Sequence, residues 1–541
     1  MKYITALSIL FLPFLLLAQP DDLPGGEVEV IKNFDARLLD TEKVKIKPDL
    51  PPLDTSTQRL TYAIPTKLMP LEYLPPRIRP VAIRTEKNSK GFKGYAKLGY
   101  GIPNSPYGEV GYRSFVQDQY DFGIAGKYHA ANFKDINNQR FSDLNIGLNG
   151  TYYMDEGIAI GGRLNHNRNE VHFYGVPEDV ETVFAREDVR QIFNTTDFNV
   201  KVFNGARTAG DINYEAGIDF YRITDNYASS ENGFDLRIGG TKWFADKHPL
   251  TVQLRTDFTT FEDTVKQKLN NFFLNPTFAY HADAFKVKLG VNFASHNDEY
   301  FFLPDIEASA NLVGSQLAVF VGWEGDLYKN NFRNITDYNP FIIPRFNLEN
   351  NKYNRIYGGV KGSVRGISYA AEASYKISDQ LALFLNDDNR EAPFENIYGF
   401  EVLYDSVNIF NAKLTLNFNL IENLQVTGTL SQSFFDLERE EKAWHLPAFE
   451  ANFSAAYLTF RDRITLKGEL YVANGVPYLD DNRTAQNLNA LFDISAGAEY
   501  RFTDNFGAFL SVNNLAANKR QRWNRYPTYG LNLLAGVTAK F

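Results

Sequence analysis

The chain has 541 residues, 15% of them aromatic and 44% hydrophobic, with 38 glycines, no cysteine and a formal charge of -9 from 56 basic and 65 acidic side chains. The missing cysteine excludes disulfides, thiolate metal sites, cysteine nucleophiles and a lipidated N-terminal cysteine, and the mixed, acidic balance offers no footprint for nucleic acid. A mean hydropathy of -0.33 excludes a bundle of membrane helices, each of which needs about 20 apolar residues, while the aromatic content excludes a disordered chain.

Residues 1–18, MKYITALSILFLPFLLLA, open with Lys2 and continue through an apolar stretch to Ala18. This is the layout of a secretory signal peptide removed on export; Pro13 and the short apolar length argue against a membrane anchor. Residues 19–90 form a second region, holding Pro20, Pro24, Pro48, Pro51, Pro52, Pro65, Pro70, Pro75, Pro76 and Pro80. Proline has no N–H to donate, so PDLPPLD and YLPPRIRP read as extended polyproline II spacer. Within it EVEVIKNF, Glu27 to Phe34, alternates and could add as a strand to a partner's sheet. The region is read as a solvated periplasmic linker, with docking to a periplasmic or outer-membrane partner as the alternative.

From residue 91 to 541 the pattern has a period of two. In FKVKLGVNF the apolar set Phe285, Val287, Leu289, Val291 and Phe293 alternates with Lys286, Lys288, Gly290 and Asn292; AKLTLNFNL, LQVTGTL and ITLKGEL repeat the scheme. Successive strand side chains point to opposite faces, so each segment has one greasy and one wet face. A soluble sandwich and a membrane barrel both produce this, and three features favour the barrel. Short turns at 117–119, 154–157, 206–211, 245–249, 281–283, 313–315, 364–366, 421–423, 461–463 and 503–505 alternate with longer links such as 174–192, 330–351, 386–397, 436–447, 475–488 and 516–529. Aromatics crowd strand ends at Tyr100, Tyr107, Tyr112, Phe301, Phe302, Trp323, Tyr328, Phe434 and Phe435, as interfacial girdles would. The chain also finishes on a strand whose Leu533, Ala535, Val537, Ala539 and terminal Phe541 share one face with Leu531. That ending resembles the signal read by the outer-membrane barrel-assembly machinery.

The expected fold is therefore all-β, a transmembrane antiparallel barrel embedded in outer-membrane lipid. Ten short turns imply about 22 strands, with 299–313 and 396–420 leaving a range of 20 to 24. The wet face predicts a lumen lined by Lys93, Lys97, Glu109, Arg113, Arg255, Asp257, Lys286, Lys288, Glu324, Asp326, Lys413, Lys467, Glu469 and Lys540. These are candidate pore-lining charges, or solvated wall residues without selectivity.

The closing hairpin carries Asn514–Leu515, then Lys519, Arg520, Arg522, Trp523, Arg525 and Tyr526 in its loop, then a strand ending at Phe541. It resembles the end of TonB-dependent receptors. The resemblance implies a 22-stranded barrel that carries a solute, with a folded plug in the lumen and energy relayed by TonB. The 72 proline-rich residues at 19–90 are short for such a plug, and a barrel without one would leak. Inward-folded loops, the 19–90 segment or another protein must then block the bore.

No enzyme, cofactor or metal chemistry is expected. His166 and His172 share a face with Arg168 and Glu170 between them, but six strand residues span about 20 Å. Asp387–Asp388 and Asp480–Asp481 lack the spacing of a calcium loop, no Gly-x-Ser-x-Gly occurs, and Gly147 and Gly150 are strand glycines. The sequence thus points to an exported protein of a Gram-negative outer membrane. Either it passes or receives a solute, or it is a structural subunit of a protein-export or barrel-assembly complex.

Overall fold

The computed structural model describes residues 92–541 apart from 155–156, 176–183, 206–207, 209, 388–397, 422 and 461. The expected signal peptide 1–18 and the proline-rich 19–90 lie outside the described residues. The remainder is one 22-stranded sheet. Every barrel strand pairs antiparallel with the next along the chain, and the first, Gly94–Ile102, also pairs with the last, Asn532–Lys540. Closure leaves no open sheet edge, so the strands can satisfy their N–H and C=O groups on both sides in a medium that offers no partners.

All ten expected short turns fall between strands. Val116 and Tyr120 bracket the first, and Arg501 and Phe506 the last. Backbone with φ near +60° recurs there at Asp118, Asp246 and Asp462, a conformation that aspartate tolerates better than most residues. The two uncertain regions are strands, Glu299–Val313 and Phe400–Ile421. Ile367–Asn386 and Phe400–Ile421 run to 20 and 22 residues, about twice what a tilted crossing needs.

At the other end the connections are uneven. Asn297 and Asp298 turn in two residues, both at positive φ, while 173–189, 331–348, 438–448, 475–490 and 514–531 are long. The long ones carry small elements of their own, a helix at Phe332–Tyr338 and short hairpins at Pro477–Leu479 with Ala485–Asn487 and at Gln521–Trp523 with Tyr526–Pro527.

Alternation sorts the wall into two faces. Leu98, Tyr100, Ile102, Val110, Tyr112, Leu164, Phe198, Phe220 and Phe234 are exposed and apolar, as a lipid-facing surface must be. The opposite face makes contacts between strands that are not neighbours, such as Arg255 to Asp326, and is the concave lumen side. Tyr107, Phe301 and Phe435 depart from the girdle expected of them. Tyr107 bonds Glu109 within the lumen, Phe301 packs with Phe273 and Leu327, and Phe435 packs with Leu383 and Trp444. Their strand positions have inward parity, which a tally of aromatics near strand ends does not register.

Candidate functional site: the lumen wall and its loop layer

The main apolar cluster sits at the long-loop end, inside the mouth of the barrel. Phe332, Ile335, Phe341, Ile342, Ile343 and Phe346 from the 331–348 connection pack against Phe193, Tyr221, Ile223, Phe261 and Leu269 of the wall. Trp523 and Tyr526 of the last loop join them. Phe341 stacks on Tyr526 with ring centroids 4.0 Å apart, and Phe346 stacks on Phe261 at 5.6 Å. Each such ring, fully buried, contributes roughly 1.5–3 kcal/mol of hydrophobic stabilisation. Backbone hydrogen bonds then lock the loops together: Ile343 N to Phe400 O at 2.8 Å, Phe400 N to Phe341 O at 3.0 Å and Tyr398 N to Gly175 O at 2.8 Å.

Two buried carboxylates fix this layer to the strands. Glu231, fully buried, accepts from the Phe332 backbone N–H at 2.8 Å, the Asn331 side-chain amide at 2.7 Å and the Tyr221 hydroxyl at 2.7 Å. It thereby holds the first turn of the helix Phe332–Tyr338, whose N-cap Asn331 accepts from the Asn334 N–H. Asp405, also fully buried, accepts from the backbone N–H groups of Arg439 at 3.0 Å and Glu440 at 2.8 Å, and from Arg439 Nε at 3.1 Å. Around the helix, Arg333 pairs with Asp197 at 2.6 Å, and Lys329 pairs with Asp257 and reaches Thr259 Oγ1 at 2.9 Å. Asp197 lies on the wall strand Arg190–Asn204, which is no neighbour of the two strands that the 331–348 connection joins, so the connection reaches past other strands of the wall.

His445 is the ionisable hinge pin of the 438–448 loop. Its Nδ1 lies 2.7 Å from Phe384 O and its Nε2 accepts from the Asn524 N–H at 3.2 Å, which defines a neutral ring protonated at Nδ1. Burial, helped by the nearby Arg522, pushes its pKa down to about 4 against the opposing bond to Phe384. Burial likewise holds the Tyr526 hydroxyl protonated, well above the usual tyrosine range; it donates to Tyr398 O at 2.5 Å.

Below this layer the wall is charged. Lys97 lies over the Phe509 ring at 4.1 Å, Glu109 accepts from Tyr95 and Tyr107 at 2.6 Å each, and Arg113 grips Asp121 through two nitrogens. Arg255 lies 3.5 Å from Asp326 and 3.9 Å over Phe273; Lys288 pairs with Asp305 at 2.5 Å; Glu324 accepts from Arg355, which also holds Glu372. Lys413 stands opposite Glu372 and Ser431, Glu469 opposite Ser454 and Ser495, Lys467 opposite Ala456 and Gly497, and Lys540 opposite Tyr95. Lys286 faces Ser309, while Lys93 lies beside Arg113, Asp121 and Lys540 at the short-turn end. The candidate residues are thus spread around the wall and are not gathered at one point. Sequence reading missed Glu231, Asp405, Asp197, Lys329, Arg333 and Arg355. Only Asn331, an N-capping residue type ahead of FRNITDY, could have signalled a capped helix in the loop.

The loop acids have local duties. Asp480 accepts from the Asn482 and Thr484 N–H groups at 3.0 and 2.8 Å, Asp481 pairs with Arg525 at 2.5 Å, and Asp387 pairs with Arg345. Asp388 lies outside the described residues. At the seam, Leu533, Ala535, Val537 and Ala539 stand opposite Ile102, Tyr100, Leu98 and Ala96, on the lipid-facing side.

No protein-family model and no curated protein sequence matches the chain. Solved structures do match. The ferric-catecholate import receptor Fiu from E. coli K12 aligns with a TM-score of 0.64 at 9% identity, over 84% of this chain and 82% of that one. The FrpB iron transporter from Neisseria meningitidis gives 0.64 at 8%, over 84% and 82%, and the copper transporter OprC gives 0.60 at 13%, over 83% and 81%. At such identities the likeness is one of fold, and it covers the barrel whose closing hairpin resembles theirs. The chain shares the 22-stranded outer-membrane barrel fold of TonB-dependent receptors.

Proposed function

We propose that this protein is a gated outer-membrane barrel that passes or receives a solute, with its own loops as the closed gate. The observation that carries the reading is the mode of closure. The 331–348 connection is held across the mouth by Glu231 and Asp197, polar contacts that water and counter-ions can replace when the layer lifts. Beneath it lies a charged wall of the kind that is inexpensive only when wet. The fold relatives, an import receptor and two metal transporters by description, support a transport role without naming the solute.

Planar-bilayer recording of the full chain tests this. The wild type should conduct little, and a variant with 332–347 replaced by a short Gly/Ser link should show large unitary steps. A folded deletion variant that conducts no more than wild type would sink the proposal. The apolar packing of the mouth favours a second reading, a non-conducting structural subunit that docks partners through its loops and the 19–90 segment. Under it the deletion leaves conductance unchanged, and removal of 22–88 releases stoichiometric co-purifying proteins.

A further inference from the structure

The outer face of five neighbouring strands, Arg140–Tyr153, Ile158–His172, Arg190–Asn204, Ile212–Asp225 and Ser230–Phe244, changes character over a short distance. Even-numbered residues face outward there. One cross-strand row is Leu164, Phe198, Phe220 and Phe234, each paired in register with the next and each exposed. The next row toward the long loops is His166, Thr196, Arg222 and Asn232, and the one after it pairs Arg168 with Asn194. At the strand ends His172 pairs with Arg190, and Arg140 opens its strand alongside. Two to four residues, roughly 7–13 Å of strand, therefore separate lipid-facing phenylalanine from arginine. That is the depth at which hydrocarbon gives way to headgroups.

Arg140, Arg168, Arg186, Arg190 and Arg222 share this rim. Glu170 is the one acid within their rows; it pairs with Arg186 at 2.6 Å and lies 3.8 Å from Arg168. Glu187 and Asp188 stand on the adjoining turn Arg186–Val189, and the connecting segment carries Glu178, Asp179 and Glu181 in its sequence. Arg222 is exposed and Arg168 half-buried, and each gives one hydrogen bond to an asparagine, Asn232 at 3.1 Å and Asn194 at 3.3 Å. Arg140 and Arg190 each keep a buried Nε without a partner among the described residues. Planar guanidinium forks match the oxygens of a phosphate group, and the even strand positions of Arg140, Arg168, Arg190 and Arg222 turn them away from the lumen.

We propose that this arginine rim binds the phosphate groups of an anionic lipid headgroup in the outer leaflet. The inference holds whether or not a solute crosses the barrel. Binding would seat the barrel at a fixed depth on this side and recruit phosphorylated glycolipid beside the 173–189 connection. It would weaken with salt, as rim electrostatics do.

The test is native mass spectrometry of the full chain in neutral detergent, titrated with diphosphorylated lipid A, with its dephosphorylated form and with phosphatidylcholine. Wild type should retain diphosphorylated lipid A at least about tenfold more tightly than either control, and Arg168→Gln with Arg222→Gln should lose that margin. A charge-matched change at the short turns, Arg365→Gln with Arg463→Gln, should leave it intact, and heat-modifiable gel migration confirms folding of each variant. Equal retention of phosphorylated and dephosphorylated lipid, or an undiminished margin in the Arg168/Arg222 variant, overturns the site. Inorganic phosphate that displaces the lipid at millimolar concentration would assign the patch to free anions and overturn the lipid reading.

Discussion

Replacing Glu231 should loosen the loop layer without disturbing the barrel. Its carboxylate accepts three hydrogen bonds of 2.7–2.8 Å from Phe332 N, Asn331 Nδ2 and Tyr221 Oη, with a longer one of 3.4 Å from Arg333 N, and it has no exposure to solvent. Glu231→Gln keeps the volume but turns an NH2 group toward donors, so at least one backbone or side-chain donor is stranded. Hydrogen bonds to a charged group are each worth about 1.5–3 kcal/mol, and breaking one side of a buried network costs about 3–5 kcal/mol in all. A loss of about 3 kcal/mol in the docking of 331–348 is a factor of roughly 150 in its opening equilibrium. Hydrogen exchange in nanodiscs reads this directly. Amides of 332–338 should lose protection by about two orders of magnitude, while strand amides such as those of Val407 to Phe418 keep theirs. Under the gating proposal, conductance events should become more frequent in step. Unchanged protection of 332–338 in a folded Glu231→Gln protein would refute the reasoning, because the helix would then be held by apolar packing alone.

Three further outcomes are expected. Tyr526→Ala removes a fully buried ring stacked on Phe341 and should destabilise the loop layer by about 3–5 kcal/mol, visible as cleavage of 331–348 by added protease in intact cells. Gly536→Val sets a Cβ against Leu98 O and within 2.6 Å of the Gly99 Cα, where first and last strands close; a cost of about 1–3 kcal/mol should lower the temperature at which the compact gel band is lost. His445 has its folded pKa pushed to about 4 from an ordinary 6.5. The open loop therefore binds the proton first. Its contribution is complete above about pH 6.5 and falls as pH drops toward 4, by about 3 kcal/mol at most. Exchange protection of 440–446, corrected for intrinsic rates, should show that slope, and His445→Gln should flatten it.

Legibility differed between the wall and the layer that closes it. The ten short turns were readable because a period of two breaks visibly wherever Asp, Asn or Gly clusters interrupt it, as at Asp118 and Asp462. The lumen-facing charges follow from the same parity. Their partners do not: Arg255 meets Asp326, and Arg333 meets Asp197 more than a hundred residues away, and only barrel closure and register place such groups together. The 331–348 connection shows the limit most clearly. Its apolar Phe332, Ile335, Phe341, Ile342, Ile343 and Phe346 carry no strand period, so nothing local says what covers them. The outward row of His166, Arg168 and Glu170 was visible as a shared face, but its meaning required the neighbouring Arg190 and Arg222 in register.

By itself the sequence determined a closed, antiparallel, roughly 22-stranded barrel with a greasy outside and a charged inside. Those properties depend on side-chain alternation and turn chemistry within about twenty consecutive residues. The tertiary structure alone decided that the barrel's own loops fill its mouth, which carboxylates hold them and where arginine meets lipid. Each of these depends on contacts between segments far apart in the chain, whose meeting is set by the register of strands around the barrel, which no local pattern encodes.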